Sequence, residues 1–137
     1  MKKYVVDASV ILTEILESRK GIVDQIKEYL IFAEKGKIEL FSTSFLEMEV
    51  ANGIRFSEKN TQKASKLLKV FFKLPIKPIA LESVLYNEIL LVSYKLGTTV
   101  YDTSYHILAK TQNAIFLTCD EDYYKKAKSL GDIELIK

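Results

Sequence analysis

A chain of 137 residues with 48% hydrophobic side chains can bury one core but is too short to divide comfortably into two, so a single domain over residues 1–137 is expected. Its apolar runs, such as residues 89–92, stop well short of the roughly 20 apolar residues of a membrane span, and its one cysteine, Cys119, excludes an internal disulfide or a cysteine-based zinc site. Twenty basic against eighteen acidic residues give a formal net charge of +2, which by itself neither selects nor excludes a nucleic-acid partner.

In chain order, residues 3–6 form a short β-rich apolar run, preceded by Met1 and Lys2 and ended by Asp7. An acid there breaks the apolar stretch that a signal peptide needs, which places the protein in the cytoplasm as an expectation. The run reads as a buried strand whose last residue opens into a helix over residues 10–17. After Gly21, the apolar residues Ile22, Ile26, Tyr29, Leu30 and Ala33 recur at helical spacing until Gly36. Residues 38–41 read as a second strand. A hydroxyl of Ser42, Thr43 or Ser44 is then expected to cap a helix carrying Phe45, Met48, Glu49, Asn52 and Ile54.

Ser57 is expected to cap the next helix, whose apolar face is Ala64, Leu67, Leu68, Phe71 and Phe72, and which Pro75 and Pro78 end. Residues 76–81 read as extended, and a helix over residues 82–96 stops at Gly97. Asp102 is expected to cap a helix over residues 103–110. Residues 114–118 are an apolar strand leading to Asp120, residues 121–130 return to helical spacing, and residues 133–136 read as an edge strand. Short apolar strands alternating with longer helices predict an α/β fold with a mainly parallel central sheet flanked by helices.

In such a sheet ligands gather beyond the carboxyl ends of the strands. Asp7 and Asp120 fall on strand ends, and Glu49 and Asp102 lie at or near helix starts that can face the same edge. Four carboxylates on one site repel one another and stay ionised only with a cation among them. An oxygen-only donor set suits Mg2+ or Mn2+. Two such ions activate a water and steady a departing phosphodiester oxygen, so hydrolysis of nucleic acid is the natural reaction.

The run Tyr4-Val5-Val6-Asp7-Ala8-Ser9-Val10 resembles the opening motif of the PIN-domain family, an apolar strand ending in Asp-x-Ser. Phe45-Leu46-Glu47-Met48-Glu49-Val50-Ala51-Asn52 resembles its second, Tyr101-Asp102-Thr103-Ser104-Tyr105 with Ala109 its third, and Phe116-Leu117-Thr118-Cys119-Asp120 its fourth. They occur in the family's order and span nearly the whole chain; a departure is Gly53-Ile54-Arg55, where a small residue and then Leu is commoner. The resemblance implies a PIN-like three-layer sandwich and Mg2+- or Mn2+-dependent endoribonuclease activity, most like the VapC-type toxins of toxin–antitoxin pairs, with a small antitoxin as partner and frequently a homodimer. It also implies that Asp7, Glu49, Asp102 and Asp120 bind metal, with Ser9, Asn52 and Thr118 in support.

Beside these stand plainer readings. Glu47 competes with Glu49, but two residues along a helix turn a side chain by about 200°, so only one faces the site. Asp122 is either a further ligand or a solvated first-turn acid. His106, four residues after Asp102 and so on the same helix face, reads first as a packed or surface residue and second as a group that reaches the metal or a phosphate, and Cys119 as a small buried hydrophobe. Lys63, Lys66 and Lys69, like Lys125, Lys126 and Lys128, read as solvated helix faces, the latter three also as a steer for RNA backbone. Tyr86, Tyr94, Tyr101 and Tyr105 belong either to the core or to a dimer face. The alternatives to a toxin are a housekeeping RNA-processing nuclease and a catalytically silent binding module. A phospho-receiver or phosphatase would need a lysine on a strand end, and none is there.

Overall fold

The computed structural model describes all residues, Met1–Lys137. Strand β1 (Lys2–Val6) leads into helices α1 (Ala8–Leu16) and α2 (Lys20–Glu34), then strand β2 (Ile38–Thr43). Helices α3 (Leu46–Ser57) and α4 (Thr61–Phe72) follow, then the short strand β3 (Lys77–Ile79). Helices α5 (Ser83–Leu96) and α6 (Val100–Thr111) lead to β4 (Ile115–Thr118). Helix α7 (Glu121–Ala127) runs into a 3-10 turn (Lys128–Leu130) before β5 (Ile133–Leu135).

The strands lie in the order β3-β2-β1-β4-β5, and every pairing is parallel. From β1 the chain steps to β2 and β3 on one side, then returns across β1 to β4 and β5. Parallel crossovers are right-handed, so this reversal places α1 to α4 on one face and the later helices on the other. The packing agrees: α1 rests on α2, α3 and α4, and α6 rests on β1, β2 and β4. The outcome is the expected three-layer α/β sandwich, with a sheet wholly parallel where sequence implied mainly parallel.

Register aligns the carboxyl ends of the two middle strands: Tyr4 lies beside Leu40 and Ile115, and Val6 beside Leu117. Val5, Phe116 and Leu117 are fully buried, as is Val50 of α3. Burying side chains of this size contributes about 1.5 to 3 kcal/mol each relative to leaving them in water. Gly53 of α3 faces Leu12 of α1 at a distance where a β-carbon would collide with the leucine methyls. Its lack of a side chain leaves room for Leu12 between α1 and α3.

Three of the expected caps move. Strand β2 continues through Thr43, so Ser42 points inward and donates to the Val6 carbonyl, and α3 starts without a side-chain cap. Helix α3 runs on through Ser57, and Asn60 caps α4 by accepting from the Gln62 and Lys63 amides. Thr99 caps α6 by accepting from the Asp102 amide, so α6 begins three residues earlier than expected. At the end of α5, Gly97 adopts φ +68, a left-handed conformation that suits glycine. No helix is long and apolar enough to cross a membrane.

Candidate functional site

Because the strand order reverses between β1 and β4, the loops that leave these strands diverge and open a crevice at their carboxyl ends. Four helix starts border this region, and each brings an acid. Asp7 is the N-cap of α1 and Asp120 that of α7. Glu49 lies in the first turn of α3 and Asp102 in the first turn of α6. Helix N-termini favour negative charge, which explains how acids accumulate here despite their mutual repulsion.

Asp7 is the most constrained of the four. It is 6% exposed, and both carboxylate oxygens accept hydrogen bonds. Ser9 Oγ donates to Oδ1 at 2.6 Å, the Val10 amide donates to the same oxygen at 3.2 Å, and Thr118 Oγ1 donates to Oδ2 at 2.7 Å. The same hydroxyls accept from the residues that follow β4: Ser9 Oγ, across from β1, from the Cys119 amide and Thr118 Oγ1 from the Asp120 amide, both at 3.0 Å. Ser9 and Thr118 therefore link the carboxyl ends of β1 and β4 through Asp7. Burial pushes the Asp7 carboxyl up to about 6, and the charge of Asp102 adds to the rise while the three hydrogen bonds oppose it.

Asp102 is the electrostatic hub. Burial raises its pKa and the charge of Asp120 adds to this, while the charge of Asp102 in turn helps to raise Asp7 and Glu49. Thr99, as the cap, leaves the Asp102 carboxylate free of that duty. Glu49 is raised first by burial, and the hydroxyl of Tyr105, which donates to its Oε1, holds it down. None of the four acids forms an ion pair with a lysine or arginine. A set of carboxylate oxygens that disfavour one another's charge and lack a basic partner fits a hard divalent cation. The side chains as they stand do not gather three ligands about one point, so binding would require them to close together.

The remaining candidates separate clearly. Glu47 is exposed, whereas Glu49 is half-buried and hydrogen-bonded, as the helix geometry required. Asn52 is exposed and makes no hydrogen bond to Glu49; Tyr105, 56 residues away in sequence, does so instead. Asp122 is an exposed first-turn acid of α7. His106 is fully buried, bonded to the Tyr123 hydroxyl at 2.9 Å and the Gly131 carbonyl at 2.7 Å, with burial lowering its pKa. It is a packed core residue. Burial pushes the Cys119 thiol up to about 11, which suits a small hydrophobe and not a nucleophile.

Lys63, Lys66 and Lys69 are exposed on α4. Lys125, Lys126 and Lys128 are exposed too, with Lys125 paired to Glu121 and Lys126 donating to the Gly97 carbonyl. Tyr86, Tyr94 and Tyr101 are exposed, and Tyr105 is buried. Sequence placed Tyr105 in the third motif without a partner; the missed signal was a polar tip on a residue facing the sheet. Two surface hollows, of about 370 and 440 Å3, are lined by none of the four acids. The acids occupy a half-exposed edge and not an enclosed pocket.

No protein-family model matches the sequence, and no curated protein matches it. Solved structures do match in fold. A chain of VapBC2 from Rickettsia felis, in a structure bound to a DNA fragment from their promoter, superposes with a TM-score of 0.68 at 17% identity, covering 98% of this chain and 99% of that one. A chain of VapBC-1 from nontypeable Haemophilus influenzae gives 0.62 at 14% identity, covering 97% of each chain. PAE2754 from Pyrobaculum aerophilum gives 0.60 at 23% identity, covering 91% of this chain and 86% of that one.

Proposed function

We propose, with the PIN-like fold as premise, that this chain is a metal-dependent endoribonuclease that hydrolyses RNA phosphodiester bonds and serves as the toxin of a toxin–antitoxin pair. One observation carries the reading: Asp7, Glu49, Asp102 and Asp120 share one sheet edge without a basic side chain paired to any of them, and the charge of Asp102 adds to the raised pKa values of Asp7 and Glu49. Held by Asp7, Glu49, Asp102 and Asp120, magnesium or manganese would supply a water of lowered pKa and neutralise charge on the departing oxygen. The chain's residues do the positioning. Ser9, Thr118 and the Val10 amide fix Asp7 in one orientation. Asp120 commits Oδ1 to the Tyr123 amide and leaves Oδ2 available. Asp102, not needed as a helix cap, faces the charges of Asp7, Glu49 and Asp120. A half-exposed edge suits a polymer that lies across it, and the exposed Lys125, Lys126 and Lys128 on the side of Asp120 attract its backbone.

The test is cleavage of a mixed RNA pool by the purified, antitoxin-free protein with Mn2+, Mg2+ or chelator. Cleavage is expected only with metal and should fall in Asp102→Asn by more than about a hundredfold, beyond what loss of an outer hydrogen bond costs. One observation favours a second reading, a binding module without catalysis: no three acids stand gathered as ligands. It predicts RNA binding with no cleavage in any metal.

The antitoxin of this reading is a small protein that covers the acids with a basic side chain. The homodimer of this reading uses α5, whose Val84, Leu91 and Tyr94 are 74%, 58% and 81% exposed. Exposed apolar surface on a helix marks an interaction site when it is contiguous. In sedimentation velocity the parent is expected to run as a dimer and Leu91→Asp/Tyr94→Asp as a folded monomer; a monomeric parent removes the assignment.

A further inference from the structure

Tyr105 is 1% exposed and packs its ring against Phe116 in a near-parallel stack, with centroids 6.2 Å apart and planes 9° from parallel. Phe45 closes on it edge-on at 5.4 Å. A phenol so enclosed has one direction for its hydroxyl, and that hydroxyl donates to Glu49 Oε1. Thr43, at the end of β2, is fully buried and its hydroxyl has no hydrogen-bond partner. Glu49 makes no other side-chain hydrogen bond, so without Tyr105 it would be a half-buried carboxylate free to swing outward.

We propose that Tyr105 is the positioning residue that holds Glu49 inward with Oε1 committed, so that Oε2 is the oxygen Glu49 offers to a divalent cation. The inference rests on the metal-nuclease reading above. Three features make the phenol effective. Its place on α6, three residues after Asp102, ties Glu49 of α3 to the helix that carries the hub acid. Its aromatic neighbours prevent it from following Glu49 if the carboxylate moves. Its enclosure leaves the hydroxyl one hydrogen-bond partner, Glu49 Oε1.

The experiment compares the parent, Tyr105→Phe, Glu49→Gln and the double variant of the full chain. Mn2+ alone is titrated by calorimetry, thermal unfolding is followed without metal, and kcat and KM are measured on RNA with metal. Removing only the hydroxyl should weaken Mn2+ binding and lower kcat by about ten- to a hundredfold, the range for loss of an oriented outer hydrogen bond. KM and metal-free unfolding should change little. In the Glu49→Gln background, Tyr105→Phe should add almost nothing, because the two act through one contact. Parent-like Mn2+ affinity in Tyr105→Phe, or full additivity of the two changes, overturns the proposal alone. Failure of the parent to bind Mn2+ overturns it together with the reading beneath it. Should Tyr105→Phe not fold, the phenol is structural and the proposal falls.

Discussion

Asp7→Asn is expected to abolish metal-dependent cleavage and, at neutral pH, to make the metal-free protein more stable than the parent. The carboxyl has an ordinary pKa of 3.8 in the unfolded chain and about 6 in the fold, where burial is the main cause. The folded state therefore holds the proton more tightly. Asp7 contributes stability that is complete below about 3.8 and disappears as the pH rises through about 6. By neutral pH the buried charge costs about 3 kcal/mol, since each pH unit between the two values is worth about 1.4 kcal/mol. Asparagine removes the charge and keeps an oxygen for Ser9 and the Val10 amide, but its amide must donate to Thr118, whose own donor has to turn away. The net gain should be about 1 to 3 kcal/mol, read as a higher urea midpoint at unchanged slope.

The same variant should lose the dependence of stability on pH between about 4 and 6 that is expected of the parent. Mn2+ should raise the unfolding temperature of the parent and leave Asp7→Asn nearly unmoved, since a ligand stabilises only the state that binds it. In the parent, metal affinity should weaken as the pH falls through about 6, because the bound form needs the carboxylate. An Asp7→Asn protein that is less stable than its parent at neutral pH would mean that Asp7 serves α1 as a structural cap, and the metal assignment would lose its strongest member.

Phe116→Ala should destabilise the fold by about 3 to 5 kcal/mol, the usual range for emptying an aromatic site in a core. Phe116 is fully buried on β4, beside β1 in the middle of the sheet, and touches three aromatic neighbours: Tyr105, His106 at 5.5 Å and Tyr123 at 5.7 Å. Their relaxation into the cavity is limited because His106 is bonded at both ring nitrogens. In a chain of this size the loss corresponds to a fall of about 10 to 20 °C in unfolding temperature. Cleavage should fall further than the folded fraction explains, because the ring against which Tyr105 stacks is gone and Glu49 loses its support. A loss below about 1.5 kcal/mol would show that the aromatic cluster repacks, and the chain of contacts from β4 to Glu49 would then be slack.

The layered α/β class, the order of strands and helices, and the four acids with Ser9 and Thr118 as their neighbours were all readable from sequence. Each depends on local information: apolar period, glycine and proline at element ends, and an acid directly after a strand. The errors lie where a local rule had several solutions. Ser42, Thr43, Ser57 and Asp102 were all chemically able to cap a helix, but β2 runs through Ser42 and Thr43, α3 runs through Ser57, and Thr99 reaches the α6 start first. Those choices are made by how far a neighbouring element extends, which is a property of packing.

The sequence by itself determined which residues place carboxylates at strand ends and helix starts and on which side of the sheet they emerge, because a strand's direction fixes where its last residue points. Only the tertiary structure decided how these residues act on one another. It buried Asp7 enough to raise its pKa, placed Asp102 between the other acids, sealed His106 inside the core, and brought Tyr105 to Glu49 in place of Asn52. The physical reason is separation along the chain. Desolvation, charge repulsion and hydrogen bonds depend on distances through space, and those distances join β1, α3, α6 and β4 only after the crossover has closed the sheet.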